Sequence, residues 1–230
     1  MLSALALNQT RAEPPFVPRT LSPFQMKKAE SLLRSRLPCL GCHELDGDGG
    51  RIGPSLSSLK GLRSAEYVYQ MIRDPQHIVP GTLMPRVPMS PSLLELVANY
   101  LVQRAATPSP AAPAVTQAPG AAARTADTSG APLLYGRWCA SCHGAGGGGD
   151  GYNAPFLPTR PTAHRDAAYM ATRTDDELFD TIAAGGYVMN RSNRMPPFGE
   201  TLTAEQIWSL VGYLRTLCRC RGPAWSLDNR

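Results

Sequence analysis

Apolar residues recur at helical spacing in two well-separated stretches of the chain. Leu93, Leu94, Val97, Tyr100 and Leu101 share one face of a helix, as do Ile207, Leu210, Val211 and Leu214 further on. Both stretches open on start signals. Ser90-Pro91 sets a capping residue before a proline suited to the first helical position, and Thr203-Ala-Glu-Gln206 reads as a capping box. Earlier in each half the spacing predicts a middle helix, over 64–73 and over 174–184, and each half opens on a short helix. Strict alternation of apolar and polar positions is missing, so the chain is expected to be mainly α.

Between these stretches, residues 105–130 read AATPSPAAPAVTQAPGAAARTADTSG, with four prolines and no aromatic residue. Such a segment cannot bury enough apolar surface to offset the entropy of ordering it, so it is expected to be a flexible Pro/Ala-rich linker. The expected organisation is a first helical domain over 22–104, the linker over 105–130, a second helical domain over 131–217, and a tail over 218–230. The two domains are expected to move relative to one another. Residues 1–21 form an extended arm or the remnant of an export signal: 2–7 are apolar and 10–12 offer small residues around a cleavage point, but the charged front of a signal peptide is missing.

Composition narrows the classes. The chain has 230 residues, 43% hydrophobic, and a formal charge of +5. No run of eighteen apolar residues occurs, so no membrane-spanning helix is expected. No Lys/Arg block with interleaved aromatics occurs either, which gives nucleic-acid binding no support.

The six cysteines carry the chemistry. Four form Cys-x-x-Cys pairs, a pattern shared by disulfide frameworks, zinc sites and redox pairs. The next residue decides between them, because both pairs run into histidine: Cys39-Leu-Gly-Cys-His43 and Cys139-Ala-Ser-Cys-His143. In that motif the two thiols can form thioethers with haem vinyl groups while the histidine supplies an axial iron ligand. A four-thiolate zinc site would leave both histidines unexplained, and a thioredoxin-like pair expects a βαβ context. The halves go on repeating: Pro54-Ser-Leu56 and Pro155-Phe-Leu157, then Met84-Pro85 and Met195-Pro196, then the closing helices with Tyr100-Leu101 and Tyr213-Leu214.

On these motifs the chain resembles tandem class I cytochrome c domains, over most of 22–217. The resemblance implies two compact helical domains, each wrapping one covalent c-type haem with iron held between His and Met. Carried over, Cys39, Cys42, Cys139 and Cys142 attach the haems, His43 and His143 are proximal ligands, and Met84 and Met195 lie opposite. Pro54 and Pro155 correspond to the family's proline whose carbonyl accepts from the proximal imidazole. Met89 and Met71 compete with Met84; Met189 and Met170 compete with Met195. His77 and His164 are expected at the surface or a haem edge, and Arg73 and Arg160 are candidate propionate partners or simply solvated. Cys218 and Cys220 stay open between a disulfide, free thiols and pairing with a partner chain.

Two saturated irons leave no open site, so the resemblance implies an electron-transfer protein rather than an enzyme. It works as a carrier or as a subunit of a larger redox complex, with redox protein partners such as a membrane-bound respiratory complex or a periplasmic dehydrogenase. The alternative is a dihaem enzyme, peroxidase-like or thiosulfate-oxidising, with one open or labile iron. The resemblance also implies a periplasmic or otherwise exported protein.

Overall fold

Short polar side chains set the helix starts. Ser22, Ser64, Ser90, Thr174 and Thr203 each accept a hydrogen bond from a backbone N–H in the first turn of the helix that follows. Such a cap is worth about 1 kcal/mol. Ser22 and Thr203 add the reciprocal glutamine of a capping box, Gln25 and Gln206. A computed structural model describes residues 16–57, 59–104 and 130–227. The export-signal reading of 2–7 and 10–12, and the linker reading over 105–129, fall outside those residues.

The chain is mainly helical. In the first half run α1 (Pro23–Ser35), α2 (Ala65–Arg73), α3 (Pro75–Ile78) and α4 (Pro91–Gln103). In the second run α5 (Ala131–Trp138), α6 (Ala140–His143), α7 (Ala167–Met170), α8 (Asp175–Ala184) and α9 (Ala204–Cys218). The middle helices of both halves, α2 and α8, start one residue inside the expected ranges, because Ser64 and Thr174 serve as their caps. Three acidic residues in the first turn of α8, Asp175, Asp176 and Glu177, complement the positive end of its dipole. An antiparallel hairpin, β1 (Glu44–Leu45) with β2 (Asp48–Gly49), was not expected. Its turn residues Asp46 and Gly47 both take positive φ, which suits Asp-Gly and the twist of a two-residue hairpin.

Each half has its own hydrophobic cluster. In the first, α4 packs on α1 and α2, and Leu33, Leu40, Leu45, Val97 and Ala98 lose all contact with solvent. In the second, α9 packs on α5 and α8 around Leu134, Tyr135, Met170, Ile207 and Leu210. Of the apolar faces read from the sequence, Leu94, Val97, Tyr100 and Leu101 on α4 and Ile207, Leu210, Val211 and Leu214 on α9 are buried, while Leu93 is half-buried at the margin.

Both ends of the described chain are tied down. Phe16 is buried and stacks on Tyr69 at 4.5 Å, while Arg19 N–H donates to Asn99 Oδ1 and Leu21 N–H to Gln103 Oε1. Residues 16–21 are therefore strapped along α4. At the other end Arg219 takes a left-handed conformation that ends α9, and Cys218 and Cys220 form a disulfide. No helix among the described residues is long and apolar enough to cross a membrane.

The two halves touch, contrary to the independent motion that the linker suggested. Fully buried Asn153 donates to Gly41 O at 2.9 Å and accepts from Arg51 N–H at 2.7 Å. Arg194 pairs with Asp48 at 2.8 Å, and the Arg51 guanidinium lies over the Phe156 ring. A long connection raises the entropic cost of docking the halves only slowly with its length, and burying complementary polar groups between them offsets that cost.

Candidate functional site

The two Cys-x-x-Cys-His segments fold alike, from the same hydrogen bonds. Cys42 and His43 N–H both donate to Cys39 O, and Cys142 and His143 N–H both donate to Cys139 O. One helical turn thus carries two thiols and an imidazole. The following glycine-rich chain comes back beneath it: Gly53 N–H reaches Cys42 O, and Gly151 N–H reaches Cys142 O. A Cβ on Gly53 would stand 2.4 Å from His43 Cε1, so that position must be glycine if the ring is to keep its place.

Each histidine is oriented by a carbonyl. His43 Nδ1 lies 2.7 Å from Pro54 O, and His143 Nδ1 lies 2.9 Å from Thr162 O. A carbonyl only accepts, so Nδ1 carries the proton in both rings and the Nε2 lone pair is left for a metal. Burial lowers both histidine pKa values, with the carbonyl bond working in the opposite direction. In the second half the carbonyl belongs to Thr162 and not to Pro155. The chain there is diverted: 154–156 wind into a short 3-10 turn beside buried Asn153, and the backbone returns to the ring only at Thr162.

His164 lies closer to the second motif than its loop context suggested. It is half-buried on the wall of the second half's cavity rather than at the open surface; its ring stacks on His143 at 4.0 Å and its Nδ1 lies 3.0 Å from the Tyr135 hydroxyl. Burial, and then the neighbouring His143, hold its pKa well below the usual value, so it sits there neutral. His77 is exposed on α3.

Burial pushes Cys39 up to about 11 and Cys42 and Cys139 up to about 12. Apolar surroundings disfavour the thiolate form. Among the described residues no group of three or more His, Cys, Asp and Glu is placed to hold a metal ion.

A cavity of about 450 Å³ opens beside the second motif. Cys139, Cys142, His143, Trp138, Met195 and Phe198 line it, so the structure brings the second histidine and Met195 to one space. Met170 also reaches this cavity but is fully buried in the core. Arg173 and Arg194 line the same space, and Arg173 Nε, Arg194 Nε and Arg194 NH1 are buried without a hydrogen-bond partner. Unpaired buried guanidinium N–H groups are costly, and an acidic group placed in the cavity would satisfy them. An apolar cavity lined by the Cys139 and Cys142 thiols, with Cys42 of the first half at its edge, by the His143 and His164 imidazoles, by the Met170 and Met195 thioethers and by unsatisfied cationic donors fits a haem with its propionates. Arg160, a candidate propionate partner, also lines the cavity but donates to Gly148 O and Gly149 O. In the first half Cys39, Met84 and Met89 all pack against the hydrophobic cluster.

Asn153, Thr162, Arg173 and Arg194 are the participants that sequence reasoning missed. Arg194 had a signal, standing next to Met195 in a family-like motif; Thr162 and Asn153 had none.

Comparison with known proteins bears on the second half. Residues 126–214 match the family model described as cytochrome C oxidase, cbb3-type, subunit III. No curated protein matches the chain. Among solved structures, it is similar to a chain of the Kuenenia stuttgartiensis reducing HAO-like protein complex Kustc0457/Kustc0458, at 20% identity and a TM-score of 0.32, covering 87% of this chain and 98% of that one. The family match and the helical fold around a Cys-x-x-Cys-His turn agree: residues 126–214 are a c-type cytochrome domain, with the haem and the electron-transfer character this implies.

Proposed function

We propose that the chain is a dihaem electron-transfer protein, built from cytochrome c domains over 22–104 and 131–217. Cys39 and Cys42 hold one c-type haem and Cys139 and Cys142 the other. His43 with Met84, and His143 with Met195, are the axial ligands. The observation that carries this reading is the duplicated turn: in both halves the thiols and histidine share one turn, and a backbone carbonyl fixes the histidine with Nε2 free.

When bound, each haem supplies one-electron exchange between Fe(III) and Fe(II). The chain's own residues set the conditions. Pro54 O and Thr162 O hold the imidazole protons at Nδ1, which keeps the rings oriented and makes them better donors. Met84 and Met195 raise the potential as neutral, soft ligands. Apolar walls exclude water, and Arg173 and Arg194 offset buried negative charge. The partners are redox proteins, and the protein works in the periplasm or another exported location. The name of the family matched by 126–214 supports a place beside a membrane-bound respiratory complex.

The test is an anaerobic optical redox titration of the holo-protein, with carbon monoxide added at full reduction and the intact mass measured alongside. Two covalent haems that titrate reversibly and ignore carbon monoxide are expected. Carbon monoxide binding to one haem would mean an open iron and would put a dihaem enzyme, peroxidase-like or thiosulfate-oxidising, in place of the carrier.

A further inference from the structure

We infer that the haem-attachment turn of the first half positions the methionine loop of the second half, so that the hold on Met195 depends on the other domain. The inference rests on the reading of Met195 as an axial ligand.

Within its own half the loop has few anchors at the critical residue. Met195 N–H reaches Ser192 O at 3.3 Å, and Met195 O accepts from Gly186 N–H at 3.0 Å. Pro196 and Pro197 follow and carry no N–H, so the chain beyond Met195 forgoes two backbone bonds. Its own half also holds the flanks, through Arg194 N–H to Ser192 Oγ at 3.2 Å and Phe198 N–H to Ile182 O at 3.0 Å; further support comes from the first half. Asn193 donates to Leu37 O at 3.2 Å and to Arg34 O at 3.4 Å. The next residue, Arg194, is buried and its guanidinium pairs with Asp48 at 2.8 Å.

The closest approach is between backbones. A Cβ on Gly41, inside the Cys39–Cys42 turn, would stand 1.9 Å from Arg194 O. Glycine at this position therefore lets the carbonyl immediately before Met195 seat on the first haem-attachment turn. Asn153 holds the same turn from the other side, through Gly41 O and Arg51 N–H, and its Nδ2 lies 3.2 Å from Cys142 Sγ. Two loops of the second half thus grip residues 34–51 of the first, and one of them carries Met195.

The bracing is reciprocal but weaker in the other direction. Arg137 donates to Gly81 O and Arg86 N–H donates to Thr201 Oγ1, both at 3.0 Å and both exposed to solvent. The Met84 loop therefore depends less on its neighbour than the Met195 loop does.

Asp48, Gly41 and Asn193 are positioning residues on this view: none supplies an axial ligand, and each acts on the second iron through the segment that carries Met195. Methionine ligation raises the potential. Each tenfold loss in its preference for the reduced over the oxidised iron lowers the potential by 59 mV in a one-electron couple. The experiment compares full-length holo-protein carrying Asp48→Asn, Asp48→Glu or Gly41→Ala, with Met84→Ala and Met195→Ala assigning the two titration steps. Asp48→Asn is expected to lower the second potential and admit carbon monoxide there, with the first haem unmoved; Asp48→Glu is expected to restore both. Gly41→Ala is expected to lower the second potential more strongly, with only the second haem read because Gly41 lies in the first attachment turn, and Asp48→Asn keeps the test intact if that variant does not fold. If Met195→Ala shifts the second haem while Asp48→Asn and Gly41→Ala leave it as in the parent, the positioning role is wrong and the axial assignment stands. If Met195→Ala shifts nothing, the axial assignment falls first and the positioning role with it.

Discussion

The same five-residue motif sits in two different settings. Behind His43 the chain returns at once, with Gly53 against the ring and the carbonyl of Pro54 on its Nδ1. Behind His143 the chain makes a longer excursion, the carbonyl comes from Thr162, and a second imidazole, His164, lies flat on the ring. The first site is closed by local backbone and the second by a side chain from a distant loop. A motif therefore fixes how a haem is attached, while its surroundings decide what presses on the ligand. Two haems in such different surroundings are expected to titrate at different potentials.

The largest effect separates the sites outright. Replacing Cys39 and Cys42 together by serine removes one covalent haem and leaves the other, which the intact mass reads directly. Next come the ligands. Met84→Ala and Met195→Ala each lower the potential of one haem, by a sizeable part of the roughly 0.8 V range that axial ligands command, and open that iron to carbon monoxide. Equal shifts in both haems from either variant would erase the distinction between the halves.

Smaller changes probe the proximal sides. Gly53→Ala drives a methyl group into the His43 ring and moves the first potential only. His164→Phe keeps a stacked ring but loses the bond to Tyr135, whereas His164→Ala loses both; the alanine variant is expected to shift the second potential more. Redox titration of the three variants side by side checks whether each proximal neighbour acts on its own haem. The smallest effect is on stability. Ser64→Ala and Thr174→Ala each remove a cap of α2 or α8 and cost about 1 kcal/mol in denaturant unfolding, with spectra of both haems unchanged.

Much of the architecture is legible in the chain because it is local. Ser64, Ser90, Thr174 and Thr203 cap helices within three residues of themselves, and the apolar spacing on α4 and α9 names the buried faces. The Asp46-Gly47 hairpin turn carries an equally local signal in its dipeptide, hidden by the shortness of its two-residue strands. Pro54 is readable for a related reason: a short tight loop leaves the chain one way back to the ring. Pro155 misleads because the second loop is longer and commits Asn153 to the other half, which moves the returning carbonyl to Thr162.

The sequence by itself determined the helical class, the helix starts and the pairing of thiols with histidine on one turn. These depend on contacts between residues a few positions apart, where spacing is geometry. Tertiary structure alone decided that His164 covers His143, that Arg173 and Arg194 face the cavity with unpaired N–H groups, and that Gly41 meets the backbone before Met195. Those contacts join residues far apart in the chain, and they exist only once two cores have formed and buried their polar margins against each other.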